Sequence, residues 1–191
     1  MQVRLEKVFK EHNLVIRTAT NEDVDSLLKW WNDGKVMEHA GFPNGLGIDE
    51  KRVLESIARS NAEHQLLIME FDGLKIGEMN YTLKDKIASF GIKICEQEFQ
   101  EKGIGTILLN MLFEHLFDDK KCLKITCDTN LNNERAQNVY ENKMNMKKVK
   151  VLKDCFKNQL GQLQSAVLFE IEKNDYERMK TKTVERVQCH K

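Results

Sequence analysis

Residues 14–18 (LVIRT) make a short apolar run of strand length. The period then changes. Val24, Leu27, Leu28 and Trp31 recur at i, i+3, i+4 and i+7, the stripe of an amphipathic helix. Thr20, with Asp23 three residues on, supplies a capping box at its start. A second helix is expected from Asp49, carrying Val53 and Ile57. Between the two helices lies the segment 40–48 (AGFPNGLGI), whose Gly, Pro and Asn favour turns over regular structure.

Strand signals follow. Residues 65–71 (QLLIMEF) and 74–83 (LKIGEMNYTL) flank Asp72-Gly73, a hairpin turn pair because both residues tolerate positive φ. A third run, 87–94 (IASFGIKI), reads as the next strand. A longer helix is expected over about 104–117, apolar at Ile107, Leu108, Met111, Leu112 and Leu116. Residues 122–127 (CLKITC) read as a strand, 134–142 (ERAQNVYEN) as a helix, and 146–152 and 165–171 as closing strands. This order predicts a mixed α/β sheet with helices on its faces.

Composition narrows the class. The chain has 191 residues, 41% hydrophobic and 31% charged, and one proline. One domain over 1–191 is expected, with a core at about 14–172 and a tail at 173–191. Thirty Lys and Arg balance thirty Asp and Glu, so the basic excess of a nucleic-acid binder is absent. The near-basic stretch after Met179 reads as a frayed, solvated end in preference to a binding arm. No apolar run approaches the ~20 residues that cross a bilayer, so no membrane partner is expected. Residues 1–11 carry no signal-peptide core, so a cytoplasmic protein is expected. The five cysteines, Cys95, Cys122, Cys127, Cys155 and Cys189, are odd in number with no CxxC pair. That argues against a disulfide framework or a zinc knuckle. The histidines show no metal-ligand spacing, so no metal is expected. The pattern does not fix the oligomeric state, and a homodimer is compatible with it.

The segment that carries chemistry is Gln100-Glu101-Lys102-Gly103-Ile104-Gly105-Thr106, after a strand and opening a helix. A glycine-rich turn at a helix N-terminus exposes backbone N–H groups at the positive end of the helix dipole, which suits a phosphate or pyrophosphate. It is neither a Walker motif nor a full GxGxxG fingerprint. Alone, it could equally be a tight turn that packs helix on strand.

The neighbours add to it. GIKI (91–94), QEKGIG (100–105), KITCD (124–128) and Asn133-Glu134-Arg135-Ala136 with Tyr140-Glu141, in this order, resemble the GNAT superfamily of acetyl-CoA-dependent N-acetyltransferases. The resemblance covers about 14–172. It is nearest the branch of ribosomal-protein N-terminal, spermidine and aminoglycoside acetyltransferases, in which Trp30-Trp31-Asn32-Asp33 is a typical first helix and loop. The implied fold is α/β (α+β): a mixed, mostly antiparallel central sheet with flanking helices, whose fourth and fifth strands, here 87–94 and 122–127, splay apart.

The resemblance also implies roles. Acetyl-CoA would be the cosubstrate. Its pantetheine arm would add to the backbone near Ile92, Ile94 and Cys95, and its pyrophosphate would rest on N–H groups of Lys102, Gly103, Ile104, Gly105 and Thr106, beside Gln100. Asn133 would cap the following helix and bond the pantetheine. Tyr140 would protonate the departing thiolate; otherwise it is a buried aromatic. Glu78 is a candidate base or a solvated strand carboxylate. Trp31, Asp33 and Glu38 are candidates for an acceptor site lined with acids, or ordinary solvated loop residues. The acceptor would be a small-molecule amine or a protein N-terminus. Two departures stand out. Ser89 replaces the strand glutamate of many relatives. The segment after Tyr140 is one residue longer than YEKxGF, with Asn145 at the glycine position, and asparagine tolerates the left-handed region. An acyl-CoA-binding regulator with weak or no catalysis, and a nucleotide-binding module, remain open.

Overall fold

The computed structural model describes residues 2–188. Eight strands form one sheet in the order β1-β2-β3-β4-β5-β6-β8-β7. They are β1 (Arg4–Phe9), β2 (His12–Thr18), β3 (His64–Phe71), β4 (Leu74–Lys84), β5 (Ile87–Ile94), β6 (Lys124–Asn130), β7 (Lys147–Lys157) and β8 (Leu163–Glu172). Neighbours run antiparallel except β5 and β6, which run parallel. The architecture expected from the sequence is therefore present, with one strand more at its start. The splayed pair is the fifth and sixth strands because β1 precedes the apolar run at 14–18.

Helices cover both faces. On one, α1 (Val24–Asn32), α2 (Gly34–Met37) and α3 (Glu50–Ala58) bury Val24, Leu27, Trp30, Val53 and Ile57 against Leu66 and Ile68 of β3. On the other, α4 (Ile104–Glu114) buries Leu108, Leu112 and Phe113 against Met79, Tyr81, Ala88 and Ile125. Alternation along each strand sends neighbours to opposite layers, so one sheet closes two hydrophobic cores. Asp49 caps α3 as expected, accepting from the Arg52 N–H at 3.0 Å. Asp23 accepts from the Thr20 N–H at 2.8 Å, but a 3₁₀ turn over Asn21–Asp23 precedes α1. Asp23 is fully buried and is also held by Arg17 and by Lys75 at 2.7 Å each.

The tail is more structured than its composition suggests. Residues Lys173–Gln188 form α6, and Tyr176 is buried, its ring stacked 4.8 Å from Phe117. Residues 189–191, with Cys189, lie outside the described residues. No helix among the described residues is long and apolar enough to cross a membrane.

Candidate active site

β5 and β6 pair over only three residues, Ile87, Ala88 and Ser89 against Lys124, Ile125 and Thr126. Beyond Ser89 the strands separate. A cavity of about 810 Å³ opens there, lined by both strands and by the turn before α4, within the size range of small-molecule sites. From Phe90 to Ile94, β5 keeps its ladder with β4 and lacks one on the side of β6. That side is an internal strand edge, the kind of edge to which an amide-bearing chain can add.

The turn at the cavity mouth has the geometry an anion needs. Gly103 sits at φ +77° as N-cap of α4, and a Cβ there would meet no protein atom within 4 Å. Its carbonyl accepts from Thr106 N–H at 3.1 Å, so the N–H groups of 103–105 precede the first bonds of the helix. The Gln100 side chain donates to Ile94 O at 2.8 Å and accepts from Arg135 at 2.9 Å. It thus ties the end of β5 to α5 (Glu134–Asn138) across the mouth. Asn133 caps α5, accepting from Ala136 N–H at 3.1 Å.

Tyr140 follows α5 in a π-helical turn, Val139–Lys143. It is 6% exposed, lines the cavity, and stands edge-on to Phe90 and Phe169. Burial, with the nearby Cys127 and Asp128, holds its phenol above the usual value. Asn145 lies at φ +53°, the left-handed conformation its position calls for.

Of the expected cofactor residues, Ile92, Ile94, Gln100, Gly103, Gly105, Thr106 and Asn133 line the cavity. Cys95, Lys102 and Ile104 do not present side chains to it. Ile104 is buried in the core, and Lys102 lies over the Phe99 ring at 5.9 Å. Burial and the Glu78 carboxylate push the Cys95 thiol up to about 12, which favours the protonated thiol.

The acceptor side departs from the acidic lining read from the sequence. Asp33 caps α2, accepting from Lys35 N–H at 2.8 Å. Neither Asp33 nor Glu38 lines the cavity; Lys35, Val36, His39 and Ala40 do. Trp31 lines a smaller pocket with Leu46 and Ile48. Glu78 is 2% exposed and is bound by Lys93 at 2.6 Å and Trp31 Nε1 at 3.4 Å. Gly77 permits this arrangement, since a Cβ there would fall on the Lys93 carbonyl oxygen.

Two carboxylates line the cavity, Glu101 in the turn before α4 and Asp128, which the sequence reading did not single out. Alternation in KITCD sends Ile125 and Cys127 into the core beside α4 and Asp128 to the opposite face, where it lines the cavity. That alternation was the available signal. A strap closes over this side: Gln159, at the β7–β8 tip, donates to Gly41 O at 2.7 Å and Gly45 O at 2.9 Å, and accepts from Asn44 N–H at 2.9 Å. Among the described residues no group of three or more His, Cys, Asp or Glu side chains is placed to hold a metal.

Residues 13–143 match the family model of the GNAT acetyltransferase domain. The chain belongs to the GNAT acetyltransferase family. Solved GNAT relatives have the same fold at low identity. A spermidine N-acetyltransferase from Vibrio cholerae, in complex with CoA and spermine, superposes with TM-score 0.75 at 20% identity, covering 85% of this chain and 97% of that one. An aminoglycoside acetyltransferase in complex with coenzyme A gives 0.70 at 22%, covering 87% and 99%. A ribosomal-protein α-N-acetyltransferase in complex with coenzyme A gives 0.75 at 13%, covering 85% and 95%.

Proposed function

We propose that this GNAT protein transfers the acetyl group of acetyl-CoA to a primary amine. The observation that carries the reading is the parting of β5 from β6 beyond Ser89, with the Gly103 turn at its mouth. The pantetheine arm lies along the free side of β5 at Ile92 and Ile94. The pyrophosphate rests on the N–H groups at the start of α4, which favour anions. Arg135 and Lys143 add positive charge to the same cavity wall.

The amine attacks the thioester carbonyl as the neutral base. A C–N bond forms and the carbonyl oxygen becomes an oxyanion, which backbone N–H groups near Ile94 stabilise. The C–S bond then breaks and the sulfur takes the Tyr140 proton. The nitrogen gives up its extra proton toward Asp128, the carboxylate on the acceptor face, and the phenolate of Tyr140 is reprotonated from solvent. Asp128 is preferred to Glu78 as the proton acceptor because Glu78 does not line the cavity and its Oε1 is bonded by Lys93 and Trp31.

The test is coenzyme A thiol release from acetyl-CoA with a panel of amines, beside a calorimetric titration of acetyl-CoA. Amine-dependent thiol release is the expected result. Binding without turnover on any amine would leave the regulator reading instead.

A further inference from the structure

The charges on the acceptor face are not those a polycation would meet with profit. Lys93 projects from β5 between Ile92 and Ile94, which pack toward α4, so its own side chain takes the opposite face. Behind it lies the buried Glu78 carboxylate, 2.6 Å away. Glu78 is nearly sealed, its side chain 3% exposed, whereas the Lys93 side chain keeps 27% exposure and Lys93, unlike Glu78, belongs to the cavity lining. Burial pulls the Lys93 ammonium down, but attraction and hydrogen bonding from Glu78 outweigh it, so the lysine stays charged.

Lys35 and His39 join Lys93 from the α2 side. Among the described residues Lys35 has no ion-pair partner, so its charge is available. Asp128, from β6, lines the same cavity. Lys35 and Lys93 thus share the cavity lining with the Asp128 carboxylate, which stands on the strand near Tyr140, close enough to raise its phenol electrostatically; Glu101, the other carboxylate of the lining, sits in the turn before α4 with Arg135 3.8 Å away. Such a site fits a ligand carrying both signs.

We propose that the acceptor carries a carboxylate a few bonds from the amine it presents, with Lys93 and Lys35 holding the carboxylate and Asp128 receiving the amine end. This rests on the transferase reading above. A free dicarboxylic amino acid and the acidic N-terminus of a peptide share this chemistry. Polyamines, which offer only positive charge, are repelled by the same lysines.

The experiment compares kcat/KM for four acceptors under the full chain: glutamate, a hexapeptide with Asp at its second and third positions, the same peptide with Asn there, and spermidine. Glutamate or the Asp peptide is expected to exceed the Asn peptide at least about tenfold, and whichever is preferred identifies the source. Lys93→Met is expected to bring the Asp/Asn ratio near one through the KM of the acidic acceptor, and Lys93→Arg to restore most of it. Lys93→Met also strands Glu78, so Lys35→Met, at an exposed position with no buried partner, tests the same ratio without that strain and should lower it. A preference for spermidine or the Asn peptide, or a ratio unmoved by Lys35→Met, would overturn the proposal. Acetyl-CoA binding with no turnover of any acceptor removes the transferase reading, and this proposal with it.

Discussion

Replacing Tyr140 with phenylalanine removes one oxygen from a wall that is otherwise aromatic. The ring stands 5.8 Å from Phe90 and 5.6 Å from Phe169, both edge-on, and phenylalanine keeps both contacts. Folding stability should therefore stay within about 1 kcal/mol of the parent, the net worth of a hydroxyl. Turnover should not. A positioned general acid contributes about 10²–10⁴-fold, which at 1.36 kcal/mol per decade raises the barrier by about 2.7–5.4 kcal/mol. Because burial above all, with Cys127 and Asp128 nearby, holds the phenol above its ordinary value, Tyr140 stays protonated past pH ~10, so its ionisation should contribute no alkaline limb to the rate below that pH. The assay is steady-state thiol release, with acetyl-CoA affinity measured on the same preparations. A second thioester with a more acidic leaving thiol needs less help from an acid, so the defect should shrink with it. A folded variant within about twofold of the parent rate on acetyl-CoA would refute the reasoning.

Three further outcomes follow from the geometry. Gly103→Asp should fold, since its Cβ meets open space at φ +77° and Asp tolerates that region; the carboxylate would face the pyrophosphate and weaken acetyl-CoA binding at least about tenfold, and unchanged calorimetric affinity would contradict the placement. Asp23→Asn leaves Arg17 and Lys75 around a neutral amide and should cost about 3–5 kcal/mol at pH 7. Burial alone would raise the Asp23 carboxyl, but bonds from Arg17, Lys75 and Thr20 hold it well below the usual range. Its contribution is therefore complete above the unfolded value of ~3.9 and is lost as pH falls toward the folded one, so urea unfolding should show the gap between parent and variant narrowing at pH 3. Gln159→Ala removes the side-chain bonds to Asn44 and Gly45, each worth about 0.5–1.5 kcal/mol; it should raise the amine KM and leave the acetyl-CoA KM alone, and two flat constants would exclude the strap from the acceptor site.

Local chemistry was the legible part. Asp72-Gly73 announced its hairpin because both residues adopt positive φ, at 49° and 80°. The β4–β5 turn uses Asp85 and Lys86 at 51° and 62°, and Lys gives no such signal. β1 escaped because its residues are largely exposed, so charges interrupt the apolar run that marks a strand. α1 admitted two stripes, and the bond from Trp30 Nε1 to Glu96 at 2.8 Å accompanies the one that buries Trp30 rather than Trp31. In the site, the geometry of the QEKGIG turn was readable because the anion-binding role proposed for it needs only consecutive backbone groups. Lys35, Lys93 and Asp128 were not, because their meaning depends on which strand face looks into the gap. Asp33, a first-loop acid, is engaged as a helix cap, and the short helix it starts gives little periodic signal.

The widened turn after Tyr140 has a consequence for how this chain tolerates length changes. An added residue in a regular α-helix rotates everything downstream by about 100° and advances it about 1.5 Å. Here Met144 N–H bonds Val139 O, five residues back, and the surplus residue is absorbed within one turn. Met144 and Met146 consequently reach the core, while Tyr140 keeps its place on the upstream side. The turn acts as a mechanical buffer between Tyr140 and the scaffold, so a single-residue deletion at Asn142 is expected to tighten the loop of helix rather than move the phenol.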